Sequence, residues 1–134
     1  LDFGATRVYT EEFAQAYRKL FAAGMRADRE AIFRHASSIG YFKAGLNEQQ
    51  RDAVLDLFVM ATEPFRVDGP YDFAASDLPA RLSEAGMALS MELDYWHTPP
   101  AEALFLHRKL GGLFMLASRL RASVDLGRLV SDFL

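Results

Sequence analysis

The sequence predicts an all-α fold of about six helices. Apolar residues recur at helical spacing in successive segments of the 134-residue chain, and most of these segments follow a residue that commonly caps helices. Apolar and polar residues do not alternate for long enough to predict a strand, except at residues 1–3. The length is that of one domain, which buries roughly two-thirds of the surface of its unfolded chain.

The first two helices are indicated by residues that suit helix ends. Thr10 is expected to cap a helix over residues 11–23, and Gly24 is expected to stop it in the left-handed conformation. A second, shorter helix is expected to start at Asp28, to run through about Ser38 and to end at Gly40.

The third helix is predicted from a capping box, because Asn47 is followed three residues later by Gln50. This helix is expected to stop near Pro64. Residues 63–77 contain two prolines and a glycine, so this stretch is predicted to be the longest loop.

The last three helices are predicted from further caps. Asp77 or Ser76 is expected to cap the fourth helix. Thr98 is expected to cap the fifth helix, with Pro99 at its first position, where the missing N–H costs nothing. A short final helix is expected after Asp125.

The fifth helix is apolar on nearly all sides, which is typical of a central, buried helix. Its interior contains Gly111 and Gly112, each of which costs about 1 kcal/mol relative to alanine. We interpret the pair as a place where a neighbouring helix approaches closely, because glycine has no Cβ to keep a second backbone away.

Three polar residues on the same helix are candidates for a structural role. His107 has no acidic residue one turn away, so we interpret it as a structural histidine, hydrogen-bonded to a backbone carbonyl and a neighbour. Arg108 is expected to form an ion pair with a carboxylate elsewhere in the fold. Lys109 is expected at the surface.

Composition argues against several functional classes. The chain has 15 basic and 18 acidic residues, a net charge of −3 and no long basic run, so nucleic-acid binding is not expected. It lacks cysteine, which excludes a disulfide framework and is compatible with a reducing compartment. The longest candidate membrane stretch lies between Lys109 and Arg119 and has nine residues, fewer than the ~20 that a spanning helix needs. A soluble segment is therefore expected.

Two sequence blocks carry a family resemblance. Residues 1–7 read LDFGATR, and residues 99–114 read PPAEALFLHRKLGGLF. In this order the blocks resemble the AarF/UbiB family of atypical kinases, which is linked to ubiquinone biosynthesis. The similarity extends from Leu1 to about Val124 and includes Asp28-Arg29-Glu30, Gly40-Tyr41-Phe42 and Pro70-Tyr71-Asp72-Phe73.

The resemblance implies a role for the Asp-Phe-Gly triplet of residues 2–4. In kinases the aspartate of such a triplet binds Mg²⁺ against the ATP phosphates, the phenylalanine packs behind it and the glycine permits a sharp turn. By this resemblance Asp2 is the metal ligand, and Phe3 and Gly4 complete the nucleotide-binding loop. The catalytic loop and the other family motifs would lie upstream, so no catalytic residue is expected within these 134 residues.

The resemblance also implies the domain organisation. The chain lacks an initiator methionine and is expected to be one helical domain cut from a larger kinase-like domain, namely the C-terminal half of a C-lobe. Residues 1–9 would be the remnant of the metal-binding and activation loop, and residues 10–134 the helical part. Mg²⁺ and ATP would bind the parent protein but not this segment tightly.

Partners and location follow from the same resemblance. The expected partners are the rest of the kinase-like domain and ubiquinone-pathway proteins or lipids, and the isolated chain is expected to self-associate. The expected location is the cytoplasm or the mitochondrial matrix side, with a parent associated with a membrane. Two alternatives stay open: a non-catalytic helical binding or assembly module whose Asp-Phe-Gly is inert, and a degenerate relative without activity.

Overall fold

The computed structural model describes residues 8–134 and confirms the predicted all-α class, with six α-helices in this range. In chain order the elements are α1 (Glu11–Met25), α2 (Arg29–Ile39), α3 (Glu48–Ala61), a 3₁₀ turn (Glu63–Arg66), β1 (Tyr71–Asp72), α4 (Leu78–Met91), α5 (Ala101–Arg119), β2 (Ser123–Val124) and α6 (Leu126–Ser131).

The predicted caps explain where four of the helices begin. The side chains of Thr10, Asp28, Asn47 and Asp125 each accept a hydrogen bond from the backbone N–H three residues ahead, at 2.9–3.2 Å. Gln50 returns a bond by accepting from the backbone N–H of Asn47 at 3.0 Å, which completes the predicted capping box.

Gly24 does not stop the first helix, so that prediction is wrong. It lies inside α1 and is buried, and the left-handed residue after the helix is Ala27, with φ of 51°. A Cβ on Gly24 would lie 2.6 Å from Cγ2 of Thr62, the residue that follows α3. The glycine is therefore needed for close approach between α1 and the end of α3.

Thr98 does not cap the fifth helix either. The helix begins at Ala101, and Pro100 occupies the N-cap position with an extended backbone, φ −53° and ψ 151°. The reason is the double proline. Pro100 disfavours the α conformation at the preceding Pro99, and the helix therefore starts only after the second proline.

The long loop predicted over residues 63–77 contains regular structure that the sequence did not indicate. The 3₁₀ turn begins it, and β1 then pairs antiparallel with β2, placing Tyr71 opposite Val124 and Asp72 opposite Ser123. Strands of two residues are too short to show an alternating pattern, and the two partners lie about fifty residues apart in the sequence.

Arg66 joins the ends of α1 and α3 at the 3₁₀ turn. Its guanidinium donates to the backbone carbonyl of Gly24 at 2.7 Å, to Oγ1 of Thr62 at 2.8 Å and to the backbone carbonyl of Val59 at 2.7 Å. Two of these acceptors are at helix C-termini, where the helix dipole favours a positive charge. Arg66 therefore holds the two helices together.

The main core lies among α1, α2 and α3, and the start of α5 packs against it. A second, smaller cluster joins α3 to α4 and to the linker before α5, through Val54, Leu89 and Tyr95. The buried residues of the main core are Leu20, Ala23, Ala31, Ile32, Ala36, Tyr41, Leu55 and Ala103.

The prediction that the fifth helix is central is wrong for the part of the chain that the structure describes. Only Ala103 of α5 is buried, whereas Leu113 is 62 % exposed and Met115 is 58 % exposed. The beginning of α5 packs on the main core, but its C-terminal half lies apart from α3 and α4. An apolar helix thus borders a groove instead of filling the interior.

Candidate functional site

The predicted metal-binding triplet lies outside the residues that the structure describes. Asp2, Phe3 and Gly4 precede residue 8, where the description begins, and their roles stay predictions. Within residues 8–134 no group of three or more histidine, aspartate or glutamate side chains is placed to hold a metal ion.

An apolar groove of about 690 Å³ lies between α3, α4 and α5. Its volume is in the range of small-molecule sites, about 300–1,000 Å³. The walls carry mostly aliphatic and aromatic side chains, and their polar groups are Ser90, two tyrosines and two histidines. The lining residues are Tyr41, Val54, Leu57, Phe58, Ala61, Leu78, Pro79, Leu82, Gly86, Leu89, Ser90, Tyr95, His97, Pro99, His107, Leu110, Gly111, Phe114 and Met115.

His107 lies at the end of this groove nearest the main core. Its Nε2 is 2.6 Å from the hydroxyl of Tyr41 and 3.3 Å from the hydroxyl of Tyr17, and its ring stacks on Tyr41. The residue as a whole is exposed, but partial burial of the ring lowers the pKa of His107 and favours the neutral imidazole. The histidine is hydrogen-bonded, as expected of a structural role, but to phenol hydroxyls in place of the expected backbone carbonyl.

Aromatic side chains extend this cluster along α1. The rings of Tyr9, Phe13 and Tyr17 follow one another with centroids 5.0 Å apart. Burial, with a smaller contribution from Tyr9, raises the pKa of Tyr17 well above its ordinary value. Burial thus favours the neutral phenol of Tyr17 and the neutral imidazole of His107. The contacts of this cluster connect α1 and Tyr41, two residues after α2, to α5.

The second histidine of the groove is also engaged. Nε2 of His97 lies 2.9 Å from the backbone carbonyl of Gly40, and the hydroxyl of the buried Tyr95 donates to the backbone carbonyl of Tyr41 at 3.1 Å. These bonds tie the α4–α5 linker to the end of α2. His97 and Tyr95 thus position the backbone, and no local sequence pattern indicates these bonds because their partners are more than 50 residues away.

The glycine pair of α5 does not pack as predicted. Apart from the neighbouring residues and backbone of α5 itself, no atom of the described chain lies within 4 Å of the position that a Cβ would take on Gly111 or Gly112. The interpretation of close helix approach is therefore wrong within residues 8–134. Gly111 lines the groove and Gly112 does not. Gly86 on α4 also lines the groove and has open space at its Cβ position. It was not among the residues predicted from the sequence, although a glycine inside a predicted helix can be recognised there.

The two basic residues after His107 are both exposed. Lys109 therefore lies at the surface, as expected, with its Nζ 5.5 Å from the ring centroid of Phe105. The ion pair expected for Arg108 stays a prediction. No helix among residues 8–134 is both long and apolar enough to cross a membrane.

Comparisons with known proteins find relatives that are named as mitochondrial atypical kinases. It is 34 % identical over 135 residues to "Atypical kinase COQ8, mitochondrial" of Saccharomyces cerevisiae, covering 98 % of this chain and 26 % of that protein. It is 34 % identical to the protein of the same name from Schizosaccharomyces pombe, covering 100 % of this chain and 22 % of the relative. Similarity to "Atypical kinase coq-8, mitochondrial" of Caenorhabditis elegans is 30 %, over 98 % of this chain and 17 % of the relative.

The chain thus spans about a quarter or less of the length of these curated relatives. No family model matches it.

Proposed function

Because this chain belongs to the AarF/UbiB family of atypical kinases, we propose that it is the C-lobe segment of an atypical kinase or ATPase that supports ubiquinone biosynthesis. The observation that carries the proposal is the extent of the similarity, which covers 98 % of the chain at 34 % identity to a protein named an atypical kinase. The relatives' names also support a mitochondrial location for the parent protein.

Asp2 is the residue that we propose as the ligand of Mg²⁺ bound to ATP in the parent protein. Its carboxylate is the donor type that Mg²⁺ prefers, and one or two such carboxylates with substrate phosphates form a common magnesium site. Residues 8–134 contain no group of three or more histidine, aspartate or glutamate side chains placed to hold a metal ion, and we propose that the other protein ligands come from outside that range. The bound metal would neutralise and align the phosphates during phosphoryl transfer.

The contribution of this segment to the reaction is therefore narrow. Asp2 would hold the metal ion, Gly4 would permit the sharp turn of the loop, and the helices would form the domain that carries the loop. A lone carboxylate cannot build an octahedral magnesium site. The 134 residues alone should therefore bind ATP no more tightly than about millimolar, and micromolar binding in calorimetry would contradict the proposal.

The test is the Asp2→Asn variant of the full-length protein. Asparagine keeps the shape of the side chain but removes its negative charge, so ATP turnover should fall by about a hundred-fold or more while the protein stays folded. The measurements are the ATPase rate and a thermal melt of the same preparation.

Asp72→Asn is the matched control, since Asp72 belongs to a similar Tyr-Asp-Phe sequence. Asp72 is exposed, and its Oδ1 accepts hydrogen bonds from the backbone N–H groups of Ala74 and Ala75, which an asparagine oxygen also accepts. Its turnover should match that of the wild type. Equal ATPase rates for wild type and Asp2→Asn would remove the metal assignment and leave the non-catalytic helical module as the better description.

The parent's partners follow from the same proposal. They are the remainder of the kinase-like domain and proteins or lipids of the ubiquinone pathway.

A further inference from the structure

Tyr9 is held by aromatic contacts close to the point where the described chain meets the Asp-Phe-Gly segment. Its ring stacks on Phe13 of α1, with the ring centroids 5.0 Å apart and the planes 13° apart. It also lies against the ring of Phe105 of α5, with the centroids 6.4 Å apart. We refer to Phe13 and Phe105 as the Tyr9 clamp. Two helices from opposite ends of the chain thus hold one residue that belongs to neither helix.

The ring of Tyr9 makes these contacts without help from its hydroxyl. The hydroxyl oxygen is buried and forms no hydrogen bond within residues 8–134. A buried hydroxyl without a partner destabilises the folded state. Packing of the ring holds Tyr9 in place in spite of this cost, so the ring is the part of the side chain that fixes its position.

The two helices of the Tyr9 clamp are also joined to each other. Phe13 packs on Tyr17 with the ring centroids 5.0 Å apart, and the hydroxyl of Tyr17 lies 3.3 Å from Nε2 of His107 on α5. The same nitrogen is 2.6 Å from the hydroxyl of the buried Tyr41. Contacts inside the described chain therefore connect both sides of the clamp.

The place of Tyr9 in the sequence gives the clamp a consequence for the residues before it. Tyr9 directly precedes Thr10, the N-cap of α1. An apolar side chain before the N-cap that packs on its helix fixes the angle at which the chain enters the helix. Gly4 is five residues before Tyr9 and Asp2 is seven residues before it, so an extended chain would span at most about 18 and 25 Å to them.

We propose that Tyr9 is a positioning residue for Asp2 in the full-length protein, because its clamped ring sets the direction of the Asp-Phe-Gly segment relative to α1. The inference rests on the proposed function, in which Asp2 binds Mg²⁺ together with ATP. Mg²⁺ demands a near-ideal octahedral arrangement of its ligands. A residue that fixes the base of the segment restricts the positions that the Asp2 carboxylate can take, and this favours metal binding.

The first test measures the Mg²⁺ requirement of ATP turnover in the full-length protein. Tyr9→Ala removes the ring and should raise the Mg²⁺ concentration for half-maximal turnover by about ten-fold or more, with a much smaller loss of rate at saturating Mg²⁺. Tyr9→Phe keeps the ring and removes only the unpaired hydroxyl, so it should match the wild type. An unchanged Mg²⁺ requirement for Tyr9→Ala, or a raised one for Tyr9→Phe, would overturn the proposal.

Phe33→Ala is the matched control for the loss of an aromatic ring. Phe33 is half-buried, as Tyr9 is, and its ring packs edge-on against Phe42 with the centroids 4.8 Å apart. The variant should lower the Tm because it removes packing, but it should leave the Mg²⁺ requirement unchanged. An equal rise of the Mg²⁺ requirement in both alanine variants would indicate a general effect of lost packing and refute the positioning role.

The second test measures hydrogen exchange in the full-length protein without ATP or Mg²⁺, so it does not depend on activity. The backbone amides of residues 2–8 should exchange about ten-fold or more faster in Tyr9→Ala than in the wild type. In Tyr9→Phe and Phe33→Ala they should exchange at the wild-type rate. Equal exchange in Tyr9→Ala and the wild type would contradict the proposal.

Asp2→Asn, measured alongside, separates this inference from the proposed function. If the metal assignment fails, Asp2→Asn keeps the wild-type turnover. If only the positioning role fails, Asp2→Asn loses turnover, whereas Tyr9→Ala keeps the wild-type Mg²⁺ requirement and exchange rates.

Discussion

Replacing Arg66 by methionine should destabilise the fold more than any exchange of an exposed arginine. Methionine keeps much of the aliphatic stem but removes all three donated hydrogen bonds, to Gly24, Thr62 and Val59. A hydrogen bond to a charged group contributes about 1.5–3 kcal/mol. Three such bonds set an upper limit on the loss in the free energy of unfolding. The actual loss is smaller where an acceptor also receives a hydrogen bond from a second donor.

These second donors can be read from the structure. The carbonyl of Gly24 also accepts from the backbone N–H of Ala27 at 2.9 Å, and the carbonyl of Val59 also accepts from Oγ1 of Thr62 at 3.2 Å. Neither carbonyl is left unsatisfied when Arg66 is removed. We therefore expect Arg66→Met to lower the free energy of unfolding by about 2–4 kcal/mol.

Arg29→Met is the control for this experiment. Arg29 also makes several contacts, with Asp56 at 2.5 Å and Asp52 at 3.7 Å, but its side chain is 42 % exposed and those of its partners are 60–63 % exposed. Exposed ion pairs contribute at most about 1 kcal/mol. Urea-induced unfolding followed by circular dichroism gives both values. Losses that agree within about 0.5 kcal/mol would show that Arg66 does not join α1 to α3 as described.

Two further predictions concern a close contact and a partly buried ring. Gly24→Ala should lower the free energy of unfolding by about 1–3 kcal/mol, because its Cβ would meet Thr62 at 2.6 Å, whereas Gly112→Ala, with open space, should raise it by up to about 1 kcal/mol. Urea titrations that rank the two variants in the opposite order would contradict the packing. Since burial lowers the pKa of His107 below its ordinary 6.5, the neutral ring is favoured in the folded state. Stability should be full above about pH 6.5 and fall as the pH drops from there through the lowered pKa, and His107→Gln should flatten this slope in pH-dependent melts.

Much of the helical structure was predictable because the signals that start a helix are local. Thr10, Asp28, Asn47 and Asp125 each bond a backbone N–H only three residues away, so residue type and spacing are sufficient to locate them. The end of α2 at Gly40, with φ of 105°, has the same origin. Where local signals compete, as between Thr98 and the double proline after it, the sequence alone favoured the wrong start.

The candidate site was predictable only in part. The sequence drew attention to His107 and Gly111 and predicted a hydrogen bond for the histidine. It did not indicate that Tyr41, 66 residues earlier, supplies that bond, nor that Gly86 faces the same groove as Gly111. Contacts of this kind depend on which helices pack together and at what angle. The periodicity of a single sequence indicates the type of each element but not its packing partner.

By itself the sequence determined the all-α class, the capped helix starts and the family to which the chain belongs. Only the tertiary structure shows that Gly24 lies against Thr62 and does not end the first helix. It also shows that Tyr71 pairs with Val124 and that α5 borders an open groove. The physical reason is the distance along the chain over which each interaction acts. Caps and turns act within about four residues, whereas burial depends on every element that surrounds a helix. The apolar composition of α5 predicts that the helix packs against other elements on several sides. Only the fold shows which of those sides the described chain leaves uncovered.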